Sequence, residues 1–207
     1  GDILICSGDL TNMGYFEELK LFCQWYNSLK NYDYKLFIAG NHDFCFQDNP
    51  DKCTEILDNY WNIDYLEDNL FLVGENYYDS LKVWGTPWQP EFMNWAFNLP
   101  KNSEELKQKW DMILNDTDIL ITHGPPFGIL DAIINKTEHL GCELLRERID
   151  ILNPKIHVFG HIHSARGYYF NGKTHFINAS CLNEYYKYTQ KPINIIWDNE
   201  TNEIEFV

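Results

Sequence analysis

Four short apolar runs, each closed by a turn carrying metal-binding side chain types, constrain this chain more than any other feature. Residues 3–7 (ILICS) run into Gly8-Asp9, and residues 35–39 (KLFIA) into Gly40-Asn41-His42-Asp43. Residues 119–122 (ILIT) run into His123-Gly124, and residues 156–159 (IHVF) into Gly160-His161-Ile162-His163. Runs this short and this predominantly apolar read as buried strands. The segments between them carry helical spacing. In residues 15–30 (YFEELKLFCQWYNSLK), Phe16, Leu19, Phe22, Cys23 and Tyr26 fall on one helix face. Residues 51–61 (DKCTEILDNYW) and 141–152 (GCELLRERIDIL) read as further helices. In residues 103–114 (SEELKQKWDMIL), Ser103 leads a first turn with two acids, a helix-start signal. A buried strand followed by a helix is the repeating unit of an α/β fold with parallel pairing.

A different pattern lies between and after these units. Residues 70–89 (LFLVGENYYDSLKVWGTPWQ) read as hairpin strands broken by Gly and Asn. Strand signals return in residues 173–180, 193–199 and 203–207 and point to a second sheet. Nothing Pro-, Gly- or Ser-rich divides the chain, so residues 1–207 are expected to form one domain.

Composition narrows the partners. The formal net charge of −15 argues against a broad grip on nucleic acid or an anionic membrane, which needs Lys/Arg surfaces. A small anionic substrate stays compatible, because bound divalent cations invert the local sign. The six cysteines contain no CxxC pair and are read as reduced thiols of a cytoplasmic protein. No apolar run reaches the length of a membrane-spanning helix. Oligomeric state is left open.

Ligands of α/β sheets bind beyond the carboxyl ends of the strands. The four turns should therefore meet in one crevice, bringing together Asp9, Asn41, His123, His161 and His163, all suited to a first-row divalent metal. A single Gly-Asp or a single histidine would carry little weight. His139, His157 and His175 lack such company and are read as ordinary core or surface residues. Four ligand-bearing turns at four strand ends form a set, and the set carries the reading.

The order GD, GNHD, HG, GHIH resembles the calcineurin-like metallophosphoesterases. The stretches GTPWQPEFMNWAFNLP, DILITHGPPFGILD, GCELLRERI, KIHVFGHIHSARG and INAS are similar to the metallophosphoesterase-domain branch, related to class III cyclic nucleotide phosphodiesterases. The resemblance implies a four-layer αββα sandwich with two mixed β-sheets and a pair of divalent cations (Mn, Fe, Zn or Mg) at one rim. It implies that Asp9 bridges both metals, that Asn41, His123 and His161 complete one shell, and that His163 serves the other. His42 would stand at the scissile phosphate as a proton donor, oriented by Asp43. The implied activity is hydrolysis of small phosphodiesters, cyclic nucleotides among them, by a metal-activated water. The aromatic segment containing Trp88, Phe92, Asn94 and Trp95 could hold a base, although such clusters most often belong to a core. A protein phosphatase is disfavoured, because Gly-Asp continues as Leu-Thr-Asn.

One departure stands out. The family opens with a strand ending in Asp-x-His before its Gly-Asp motif, and residues 1–7 do not carry it. The domain is therefore expected to lack its first strand, leaving an open sheet edge, lower stability and only Asp9 and His163 for one metal. The rival expectation is a catalytically weak nucleotide- or metal-binding module.

Overall fold

The computed structural model describes residues 1–133, 138–198 and 200–207. The chain begins with β1 (Ile3–Cys6), α1 (Phe16–Ser28), β2 (Tyr34–Phe37), α2 (Phe44–Asp48), α3 (Pro50–Leu57) and β3 (Asp64–Tyr65). It continues through β4 (Asn69–Val73), β5 (Leu81–Thr86), β6 (Gln89–Pro90), β7 (Asn98–Leu99), α4 (Glu104–Asp111) and β8 (Ile119–Thr122). Then follow α5 (Glu143–Leu152), β9 (Ile156–Phe159), a 3-10 turn (His163–Ala165), β10 (Gly167–Phe170), β11 (His175–Asn178), β12 (Ile195–Asp198) and β13 (Glu203–Phe206).

Two main sheets form. The first has the order β1-β2-β3, with both pairs parallel. The second has the order β10-β11-β9-β8-β5-β4, parallel in its middle and closed at each side by an antiparallel pair. The division is not early against late in the chain. The hairpin β4–β5 and the pair β10–β11 join the same sheet as the buried strands β8 and β9. Among the described residues β1 pairs only with β2 and forms a sheet edge.

Strand alternation builds the layers, because successive side chains point to opposite faces. Ile3, Ile5, Leu36 and Ile38 face Val83, Ile119, Ile121, Ile156, Val158 and Ile177 in a core between the two sheets. The alternate residues Leu4, Cys6, Phe37 and Ala39 turn outward and meet Leu19, Phe22, Cys23 and Tyr26 of α1, with Cys45, Phe46, Cys53 and Ile56 of α2 and α3. On the far side, Trp84, Leu120, Phe159 and Phe176 meet Leu106 and Trp110 of α4 and Leu145 and Ile149 of α5. Three apolar interfaces make four layers, helix–sheet–sheet–helix. Each fully buried aliphatic or aromatic side chain contributes roughly 1.5–3 kcal/mol. The hairpin β12–β13 adds Ile195, Trp197 and Ile204 to the inter-sheet core.

Local chemistry sets the helix ends. Ser103 Oγ accepts from the Leu106 N–H at 3.1 Å and starts α4. Pro50 opens α3, where its missing N–H costs nothing. Asn153 ends α5 in the left-handed region at φ 50°. No helix among the described residues is long and apolar enough to cross a membrane.

Candidate metal centre

The carboxyl ends of β1, β2, β8 and β9 meet at one rim, two from each sheet. The crevice therefore lies between the sheets, above their shared core. Its first wall is a pair of glycine turns in near contact. A Cβ on Gly40 would lie 2.4 Å from the Asp9 N and Oδ1 and 2.6 Å from the His123 ring. At Gly8 it would lie 2.6 Å from His123 Nδ1, and φ there is 100°. Only glycine admits this approach. Asp9 and His161 themselves hold φ of 57° and 63°, a region that non-glycine residues occupy uncommonly and often at functional sites.

The ligand atoms converge. One oxygen of Asp9 and one ring nitrogen each of His123 and His161 lie within 4.8 Å of one another. The Ser7 carbonyl can only accept, so His123 Nδ1 donates to it at 2.9 Å. In the neutral ring this leaves the His123 Nε2 lone pair pointing inward. It faces Asn41 Oδ1 at 2.9 Å, His161 Nδ1 at 3.2 Å and Asp9 Oδ1 at 3.4 Å. In the His161 tautomer with the Nδ1 lone pair inward, these atoms are all acceptors around a common point, the arrangement a cation resolves, and two oxygens with two imidazoles suit a first-row divalent ion. Charge agrees. Burial would raise the Asp9 carboxyl, but the imidazoles of His123, His42 and His161 outweigh it and hold the group below the ordinary carboxylate range. Burial, with His123 beside it, pushes His161 down to about 3, so the ring stays neutral, as a ligand must be.

His163 stands beside this set and outside it. Its Nδ1 donates to the Asn183 carbonyl at 2.9 Å, and its ring lies edge-on to Tyr186 at 5.4 Å. Among the described residues Asp9, His123 and His161 form the group of three that could hold a metal, and His163 is not a member of it.

His42 projects at the edge of the centre. Its N–H donates to Asp9 Oδ1 at 3.1 Å, and its Nδ1 donates to the Asn12 carbonyl at 2.8 Å, turning Nε2 away from that bond. The expected contact from Asp43 to the ring is not made. Asp43 is fully buried and accepts from the N–H groups of Gly40 (2.7 Å), Thr11 (2.8 Å) and Leu10 (3.1 Å), and from Thr11 Oγ1 (2.7 Å). It bolts the first two turns together, and Asn12 orients the imidazole. Burial and the Asp9 charge push Asp43 up to about 6, against the pull of those hydrogen bonds.

The aromatic segment divides. Trp88 packs into both helix-side cores, edge-on to Phe97 at 5.4 Å, with its Nε1 on Asp68 at 2.9 Å and Lys109 Nζ over its ring at 4.3 Å. It is a partly buried residue of both cores. Trp95 lies against His42 with centroids 4.3 Å apart. The Ala96 N–H on the Asn41 carbonyl (3.0 Å) and the Phe97 N–H on Gln47 Oε1 (2.6 Å) hold it there. Asn94 and Trp95 line a side cleft of about 350 Å³ with Phe44, Gln47 and Glu91, and Phe92 is exposed. Sequence reasoning missed Ser7, Asn12, Thr11, Asn183 and Tyr186. The first and second work through backbone carbonyls, which leave no residue-type signal.

A family profile for calcineurin-like phosphoesterases matches residues 1–165. The chain belongs to that family. Human metallophosphoesterase domain-containing protein 1 is 38% identical to this family member over 211 residues, covering 94% of this chain and 64% of its own length. The Caenorhabditis elegans UPF0046 protein T07D4.2 is 35% identical, covering 93% of this chain and 54% of its own. The chain thus spans between about half and two thirds of these relatives. The crystal structure of TT1561 from Thermus thermophilus superposes on all of this chain and 85% of its own, at a TM-score of 0.64 and 13% identity, a likeness of fold.

Proposed function

We propose that the chain is a metal-dependent hydrolase of small phosphodiesters, cyclic nucleotides included. The lone-pair array of Asp9, Asn41, His123 and His161 carries this reading, inside a family of phosphoesterases. A divalent ion held there lowers the pKa of water and offsets phosphoryl charge. The chain's own residues do the rest. Ionised Asp9, neutral His161, the Asn41 amide oxygen and His123 Nε2 offer the donors. His42, with Nδ1–H fixed on Asn12, presents Nε2 to the leaving oxygen and, as the imidazolium, delivers the Nε2 proton while keeping that on Nδ1. Such general acids contribute about 10²–10⁴-fold. Trp95 forms a flat wall beside that group.

Hydrolysis of bis-p-nitrophenyl phosphate with Mn²⁺ tests the reading. His42→Ala should lower kcat by about 10²–10⁴-fold and leave metal content unchanged. Loss of metal along with activity, or full activity, would remove His42 from the role given. A second reading, a nucleotide- or metal-binding module with little turnover, draws support from the one group of three ligands found among the described residues, Asp9, His123 and His161. One metal per chain with AMP binding and no turnover would select it. Two metals and turnover would select the hydrolase.

A further inference from the structure

Tyr186 has no role in the site described so far, yet its backbone is forced to reach it. The residue holds φ 56°, uncommon for a bulky side chain, and 62% of it is exposed. Asn183 builds the turn that imposes this conformation. Its Oδ1 accepts from the N–H groups of Tyr185 and Lys187, both at 3.0 Å, and its carbonyl accepts from the Tyr186 N–H at 2.9 Å. Its own N–H donates to Lys187 at 2.9 Å, and a bridge between Leu182 and Tyr188 closes the base. The same Asn183 carbonyl receives His163 Nδ1, which ties the turn to the rim of the metal centre. The outcome is an aromatic ring edge-on to two histidines, 6.0 Å from His42 and 5.4 Å from His163. Trp95 touches His42 at 4.3 Å, so His42 stands in contact with two aromatic side chains.

We infer that Tyr186 is a specificity-determining residue, which with Trp95 selects phosphoesters whose organic group is a flat aromatic ring, an aryl group or a nucleobase. The inference rests on the phosphoesterase reading above and names where the organic group lies. His42 marks the leaving oxygen, and the group attached to that oxygen must pass next to His42, where these two rings stand. A flat ring gains from stacking there, and an aliphatic group does not. Ring stacking of this kind changes affinity by roughly 5- to 150-fold on removal of one aromatic partner. The bonds of Asn183 that fix the Tyr186 backbone leave its side chain exposed beside the two histidines.

Calorimetry on the full chain with saturating Mn²⁺ tests this, using phenyl phosphate and glycerol 2-phosphate as probes. Tyr186→Ala should weaken phenyl phosphate by on the order of 10-fold and glycerol 2-phosphate by less than about twofold, and Tyr186→Phe should keep the wild-type preference. Equal losses for both probes would make Tyr186 a mere support of the histidines and overturn the inference. So would an unchanged affinity for phenyl phosphate. AMP in place of phenyl phosphate tells a nucleobase from a general aryl preference. If the wild-type chain binds neither monoester, this inference falls, and the diester reading is judged separately by turnover of bis-p-nitrophenyl phosphate. Binding of both esters with no effect of Tyr186→Ala removes this inference alone.

Discussion

At the scale of single residues, the metal centre depends on atoms that are absent as much as on those present. Gly40 admits Asp9 and His123 to positions that any Cβ would contest at 2.4–2.6 Å. Gly40→Ala should therefore lower affinity for Mn²⁺ by roughly 10- to 100-fold, the range seen when a residue supporting a ligand is changed. Far-ultraviolet circular dichroism should stay near wild type. Unchanged affinity would mean that the two turns can part without harm to the site. Asp43 shows why adjacency in sequence misleads. It follows His42 directly, but consecutive side chains in a tight turn point apart. One faces the solvent-side rim, the other the buried N–H groups of Leu10, Thr11 and Gly40. The ring it was expected to steer is steered by Asn12, whose contribution is a main-chain oxygen.

At the scale of elements, periodicity made most of the fold legible. The four apolar runs are β1, β2, β8 and β9, and α1, α3, α4 and α5 fall where helical spacing or a cap residue marked them. Ser103→Ala should cost about 1 kcal/mol of stability by loss of the α4 cap, read as a lower urea midpoint at constant slope. An unaltered midpoint would show that the Leu106 N–H finds water at no cost. Other elements left no readable trace. The two-residue strands β3, β6 and β7 are too short for any period, and α2 spans Phe44–Asp48 only. The site was legible to the extent that residue type reveals function. Asp9, Asn41, His123 and His161 assemble, and His163 stands alongside. Trp88 and Trp95 look alike in sequence, and only tertiary packing separates the core ring from the one beside His42. Tyr186 was not readable, because a turn after β11 must fold back over the rim before it becomes a neighbour of His42.

For the molecule as a whole, acid sensitivity is built into the wall behind the site. His157 is fully buried between Phe159 and Phe176, at 4.8 Å and 5.8 Å. Thr122 Oγ1 donates to the Gly124 carbonyl and so accepts from His157 Nε2 at 2.8 Å, while Nδ1 has no partner. Burial pushes this imidazole down to about 3, against about 6.5 in an unfolded chain. Between those values the unfolded state binds the extra proton. The stability is complete above about pH 6.5 and is lost as pH falls toward 3, by about 2 kcal/mol at pH 5. His157→Gln should flatten the fall of Tm between pH 6.5 and 5. An unchanged slope would place the acid sensitivity elsewhere. The alternating faces of β8 and β9 carry a further consequence. Each strand seals two apolar interfaces and then launches a ligand, so its phase is shared by packing and chemistry. Connecting loops can gain or lose residues freely, whereas deleting one residue inside β8 would exchange its inner and outer faces and swing His123 out of the centre in the same stroke.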